Sequence, residues 1–342
     1  MGVTVALDGF GAEQGFDVLA EGARMAAADG IRLRVFGSPA ELSFEGLDGI
    51  ELIPTDEWIG NDENPVAAVR EKREASVVRA AADVAGGRSA AMVSPGSTGA
   101  TMAAATFGLR RLKGVQRPAL AVQLPVPGKP VLFLDVGANV DVRAQHLVQF
   151  AFLGAAFSEA VLGVERPRVG LLSVGEEAGK GREEVAAAHE LLAAATGIEF
   201  AGNVEGRDLP AGVADVVVTD GFTGNVALKL MEGTAKAVTG AIRDAARSNP
   251  LAALGGLLMR PALGGLRREL APDTTGGAIL LGLNGVAVVG HGSSGAGGIA
   301  NAVRLAARCV EVDAVQRTAA LLRAGGAGRA ALAESRDAGG AA

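Results

Sequence analysis

The sequence predicts an open α/β fold built on a largely parallel sheet, and three observations carry that expectation. Short apolar runs such as Val131-Leu132-Phe133-Leu134 end abruptly in a carboxylate, a glycine and an asparagine, as buried strands do at their exits. Strand-like and helix-like segments alternate from the start: residues 3–7, 16–29, 32–36 and 50–53 read as strand, helix, strand and strand. The chain is 49% apolar with 50 glycines and no tyrosine, which fits many tight strand-to-helix turns packed on small helix faces. At 342 residues it can bury a large core, read here as one domain over 1–323 with a Gly/Ala-rich tail over 324–342 expected to be disordered.

Bulk properties exclude some partners. A net charge of −6 with acids and bases interspersed argues against nucleic acid, which needs a concentrated basic face. The single cysteine, Cys309, rules out a disulfide framework and a cysteine metal site, so a reducing cytoplasm is expected. The N-terminus passes straight into the first strand with no leader pattern, and no apolar run reaches the ~20 residues of a spanning helix.

In chain order, the first strand ends at Asp8 before a glycine-containing loop whose spacing departs from a dinucleotide fingerprint. Asn64-Pro65 opens a helix expected to run to about Ala85. Residues 90–93 form a strand whose exit, Ser94-Pro95-Gly96-Ser97-Thr98, leads into an apolar helix. Free amides and hydroxyls there make an anion cradle, and simple capping explains the same residues. Arg110, Arg111, Lys113 and Arg117 form the densest basic run, either solvated surface or a face for an acidic protein.

Three later exits each deliver an asparagine near an acid: Asp135 to Asp141 with Asn139, Asn203-Val204-Glu205, and Asp220 to Asn225. Asparagine offers donor and acceptor without charge, so the three could line a polar pocket, although each also reads as a turn. Lys180 stands between two glycines beyond Glu176, Asn225 and Lys229 share one helix face, and His291 leaves the last strand between glycines beside Ser293. Residues 144–161 and 299–322 read as helices. Residues 249–270 look like a membrane-resting helical tip carrying Leu251, Leu254, Leu257, Leu258 and Leu263, with Pro261 expected to break its helix. A core or subunit-contact hairpin is the other reading of the same segment.

These exits in order resemble the phosphate acyltransferases of bacterial phospholipid synthesis. The matching segments are residues 134–141, 170–181, 202–208, 220–229 and 291–294, while 8–13, 72–76 and 94–99 depart from the family pattern. The resemblance implies a three-layer α/β/α sandwich related to phosphotransacetylase and isocitrate-dehydrogenase-like folds, and a homodimer. It implies transfer of a fatty acyl group from acyl carrier protein to inorganic phosphate, giving acyl phosphate without metal or other cofactor. It further implies peripheral contact with the inner face of an anionic membrane, where a glycerol-3-phosphate acyltransferase would receive the product. Phosphotransacetylase-like use of acyl-coenzyme A and a non-catalytic recruiting scaffold are the alternatives.

The residues expected around the phosphate and thioester are Lys180, Lys229, His291, Asn139, Asn203 and Asn225. Asp8, Ser94, Gly96, Ser97, Thr98, Asp135, Asp141, Glu176, Asp220 and Ser293 are expected to bind substrate, and Arg110, Arg111, Lys113 and Arg117 to dock the carrier protein.

Overall fold

The computed structural model describes residues 2–124, 126, 131–269 and 276–328, with only the backbone of 260–269. Eleven strands form one sheet in the order β3-β2-β1-β4-β11-β10-β5-β6-β9-β7-β8. In chain order they are β1 Thr4–Asp8, β2 Arg32–Gly37, β3 Ile50–Pro54, β4 Ala91–Ser94, β5 Ala119–Leu124, β6 Val131–Leu134, β7 Arg168–Leu172, β8 Glu199–Val204, β9 Val216–Val218, β10 Ala278–Leu281 and β11 Val286–Val289.

The feature that positions the site is a reversal inside this sheet. Strands β1 to β4 and β11 run parallel to one another, and so do β6 to β9. Between the two sets, β10 is antiparallel to both β11 and β5, and β5 is antiparallel to β6. Three reversals leave the two parallel sets pointing in opposite directions, so their carboxyl ends open at opposite edges of the sheet.

Alternate side chains feed two cores, with Leu132 and Leu134 on one face and Val131 and Phe133 on the other. Helices α1 Phe16–Ala28, α5 Ala144–Phe157, α6 Glu183–Ala193, α9 Ala296–Glu311 and α10 Ala314–Ala324 cover the first face. On the second lie α2 Pro65–Glu71, α3 Ser76–Ala85, α4 Thr98–Leu109 and the opening turns of α7 Gly221–Ala246. The three-layer α/β/α expectation therefore holds. Beyond its opening turns α7 is mostly exposed, and it pairs with α8 Pro250–Glu269.

Several expected boundaries differ. The helix expected from Pro65 to Ala85 breaks at Lys72–Ala75, because the Thr55 hydroxyl donates to Glu74 O at 2.7 Å and Ser76 N donates to Glu57 O at 2.9 Å. The helix expected over 144–161 relaxes into a π-turn at Ser158–Leu162, and the one over 299–322 is split at Asp313, whose φ is +53°. Pro261 does not break α8, which runs on to Glu269; a proline removes one amide from the ladder, and the turns on either side carry the helix past it. The tail expected from residue 324 begins ordered: Ala327 is buried and its carbonyl accepts from Gln149 Nε2 at 2.9 Å. Residues 329–342 and the side chain of Leu263 lie outside the described residues.

Candidate active site

The sheet reversal divides the expected site residues into two groups. Asp8, Ser94, Gly96, Ser97, Thr98, His291 and Ser293 lie at the carboxyl ends of β1, β4 and β11. Asp135, Asn139, Asp141, Glu176, Lys180, Asn203, Asp220, Asn225 and Lys229 lie at or beyond the carboxyl ends of β6, β7, β8 and β9. The expected single pocket joining both groups does not form within one chain.

At the first end Asp8 is 3% exposed and is held by hydroxyls. Ser76 Oγ donates to its Oδ1 at 2.5 Å and Ser94 Oγ to its Oδ2 at 2.7 Å, with Phe10 N on Oδ1 at 3.1 Å. Thr101 Oγ1 stands 3.0 Å from Ser94 Oγ and donates to Ser97 O at 2.9 Å. Burial pushes the Asp8 carboxyl pKa up against these three donors. Asp8 and Ser94, expected to contact substrate, are hydrogen-bonded to each other and fasten α3 and α4 to β1. Phe10 stacks on Trp58 with centroids 6.1 Å apart over this cage. Ser97 caps α4, Thr98 is exposed, and Gly96 donates to Ser94 Oγ at 3.1 Å. His291 is exposed, with Nδ1 2.7 Å from Ser293 Oγ.

At the second end Asp135 is fully enclosed by fixed N–H donors. Its Oδ1 accepts from Leu120 N, Gly137 N and Ala138 N at 3.0, 3.2 and 2.9 Å. Its Oδ2 accepts from Asn139 N at 2.7 Å and Asn139 Nδ2 at 2.8 Å. Burial again raises the carboxyl pKa, with five donors opposing it. Asn139 Nδ2 also donates to Pro118 O at 2.7 Å, so both its amide hydrogens are used. Asn203 is buried between Glu177 O, 2.8 Å from its Nδ2, and His189 Nδ1, 2.9 Å from its Oδ1. Asn139 and Asn203, expected to touch substrate, hold loops through these bonds, and Asp135 does the same.

Asp220 caps α7 by accepting from Thr223 N at 2.9 Å and Thr223 Oγ1 at 2.7 Å, and it pairs with Arg182. The Arg182 bond ties the 173–182 loop to the start of α7, and Ser173 Oγ fixes that loop from within by donating to Lys180 O at 3.0 Å. Gly224 lets α7 approach: a Cβ there would stand 1.9 Å from Asp135 O. With the helix so close, Asn225 faces the 135–139 loop, its Nδ2 3.4 Å from where a Cβ on Gly137 would lie.

Of the expected residues at this end, Lys180, Asn225, Lys229 and Asp141 have no side-chain hydrogen-bond or ion-pair partner among the described residues, and the first three are the donors. Asp141 is exposed, and Glu176 pairs loosely with Arg207 at 3.7 Å. Ser76, Thr101, Arg182 and His189 are positioning residues that the sequence reading misses. An i,i+4 pattern from Ser97 to Thr101 is the only one of these signals that the sequence holds locally.

The basic run is not one surface. Arg111 and Arg117 line a cavity of about 520 Å³ together with Asp141, Arg143 and His146. Arg110 and Lys113 do not line it. Among the described residues no group of three or more His, Cys, Asp or Glu side chains is placed to hold a metal ion.

A family model described as "Fatty acid synthesis protein" matches residues 3–317. The phosphate acyltransferase of Elusimicrobium minutum is 48% identical over 272 residues, 80% of each chain. That of Geobacillus thermodenitrificans is 43% identical over 318 residues, 92% of this chain and 97% of the relative. The chain belongs to the bacterial phosphate acyltransferase family. It is an acyltransferase, and the acceptor in its family's reaction is phosphate. A phosphotransacetylase from Streptococcus pyogenes, 17% identical over 91% of this chain and 94% of its own, superposes with a TM-score of 0.58, which shows a shared fold.

Proposed function

We propose that this acyltransferase moves a long-chain fatty acyl group from acyl carrier protein to inorganic phosphate, releasing acyl phosphate, and that the chemistry occupies the second end of the sheet. One observation carries the choice of end. There, buried Asp135, Asn139, Asn203 and Asp220 are all spent on fixing loops, and among the expected site residues at that end the donors left without a described partner are Lys180, Asn225 and Lys229, with exposed Asp141 the one unpartnered acid. Hydrogen phosphate is already an anionic nucleophile, so the site has only to hold it and to stabilise the oxyanion. Two lysines supply the first and the Asn225 amide the second. A phosphate oxygen bonds to the acyl carbon, the C–S bond breaks, and the carrier leaves as thiolate. Exposed Arg110 and Lys113 suit the rim of an acidic carrier protein.

Two surfaces support the partners in this reading. Phe222, Val226 and Leu230, four residues apart along α7 and 52–68% exposed, form an apolar ridge suited to a second copy of the chain. In the first turns of α8, Leu251, Leu254, Leu257 and Leu258 are 56–79% exposed, suited to lying among anionic lipids, where the product would be passed to a membrane glycerol-3-phosphate acyltransferase. No helix among the described residues is long and apolar enough to cross a membrane.

Hydroxylamine trapping tests the reaction: acyl hydroxamate is expected to form faster than the thioester's own background reaction with hydroxylamine only when the protein, acyl carrier protein thioester and phosphate are all present. Product from acyl-coenzyme A alone would replace the donor, and no product from either would end the proposal. Replacing Leu254, Leu257 and Leu258 with glutamate is expected to abolish binding to anionic vesicles while trapped product stays within about twofold. Loss of folding or of dimer in that variant would instead make the tip structural.

A further inference from the structure

The cavity between the 110–117 segment and the start of α5 is left unused by the reaction scheme. Three guanidiniums, Arg111, Arg117 and Arg143, line it against one carboxylate, Asp141. His146 also lines it and is 7% exposed; its Nδ1 accepts from Arg143 N at 3.2 Å, so in the neutral ring Nε2 carries the hydrogen. That nitrogen has no described partner and is not sealed from solvent, and the residue that carries it lines the cavity. Burial, then Arg117 and Arg143, lower the His146 pKa and keep the ring neutral and donating.

Forked N–H donors around one volume with a neutral N–H beside them fit the oxygens of a phosphate group. At about 520 Å³ the cavity is far larger than a single phosphate ion needs, and of the size that holds part of an organic ligand. Its place is equally informative. Arg117 precedes Pro118, whose carbonyl is held by Asn139 Nδ2 at 2.7 Å, and Asp141 follows Asn139 by two residues. The cavity therefore adjoins the clamp that shapes the Asn225 end of the sheet, and neither Lys180, Asn225 nor Lys229 lines it.

We propose that the Arg111/Arg117/Arg143 cavity is a second anion site, distinct from the acceptor phosphate, which seats the phosphate group of a pantetheine-type thiol carrier so that its thioester end reaches Asn225. This rests on the acyl-transfer reading above for its role, and on the cavity alone for its ligand chemistry.

Titration calorimetry of the full chain with phosphopantetheine, pantetheine and inorganic phosphate tests it without any variant. Phosphopantetheine is expected to bind about tenfold or more tighter than pantetheine, the scale of one charge-assisted hydrogen bond. Arg117→Gln/Arg143→Gln is expected to erase that difference and raise KM for the thioester donor while KM for phosphate stays put. Arg143→Gln alone, which changes an exposed side chain, serves if the double variant does not fold. Equal binding of phosphopantetheine and pantetheine overturns the proposal. So does a rise in KM for phosphate alone, which would make the cavity the acceptor site. Tighter binding of phosphopantetheine than of pantetheine in a protein that yields no acyl phosphate would uphold the site and end the acyl-transfer reading instead.

Discussion

Each end of the sheet holds a buried aspartate where a strand of one parallel set ends, yet the two are enclosed by different chemistry. Asp8 is met mainly by side-chain hydroxyls, Ser76 and Ser94, with Thr101 behind them. Asp135 is met by four backbone amides and the Asn139 side chain, with no hydroxyl among them. Hydroxyls can turn to donate or accept; amides cannot. The first end is thus a junction that tolerates exchange of charge, and it fastens α3 and α4 to β1. The second is a rigid mould set for a carboxylate, and it gives the loop facing Asn225 its shape. Rigid support for a few uncommitted groups is what a preorganised reaction centre requires.

The largest expected effect separates the ends by activity. Lys180→Ala and Asn225→Ala are each expected to lower trapped acyl phosphate by on the order of 10²–10³-fold with folding intact, the usual cost of losing one preorganised donor. His291→Ala, at the other end, is expected to stay within about threefold of normal, since in one chain its strand exit is directed away from the centre. A loss at His291 as deep as at Lys180 would mean that the two ends meet across a subunit boundary, and the division of labour between them would fail.

Stability gives the next contrast. Asp135→Asn turns one acceptor oxygen into an NH₂ facing Asn139 N and Asn139 Nδ2, neither of which can accept. A destabilisation of about 3 kcal/mol or more is expected in urea titration, as for buried donors left unpaired. Asp8→Asn keeps one oxygen, and Ser76 or Ser94 can reverse to accept from the new amide, so about 1 kcal/mol is expected. Equal losses would show that the hydroxyl cage is as inflexible as the amide one.

Much of this contrast lies beyond the sequence. The strand exits at Asp8, Ser94, Asp135 and Asp220 are legible because an apolar run ending in a polar, glycine-containing turn is a local pattern. That they open at opposite edges is not, because it depends on β10 pairing antiparallel with β5 across some 160 residues of chain as well as with its neighbour β11. Asn139 and Asn203 stand out in the sequence, but their role does not, since nothing local reveals that Pro118 O, Glu177 O and His189 consume their side chains. The break before Ser76 is hidden for the same reason, since the groups that end α2 early sit at Thr55 and Glu57. Basic residues 110–117 read as one charged run, and only folding turns Arg111 and Arg117 toward Arg143.

The smallest effect is the sharpest test of the hydroxyl cage. Burial holds the Asp8 carboxyl pKa above its ordinary 3.8 in the folded chain. From that value up to the raised one the folded state binds more protons than the unfolded state, so this group's contribution to stability falls as pH rises. Asp8→Asn lacks the titration, whereas every other group titrates alike in both proteins. The stability gap between wild type and Asp8→Asn is therefore expected to be wider at pH 4.5 than at pH 7.5, read as the difference in urea midpoints at the two values. A gap that widens with pH would mean that the ionised form is the one the cage prefers, that Ser76 and Ser94 act as fixed donors, and that the two ends of the sheet are built alike after all.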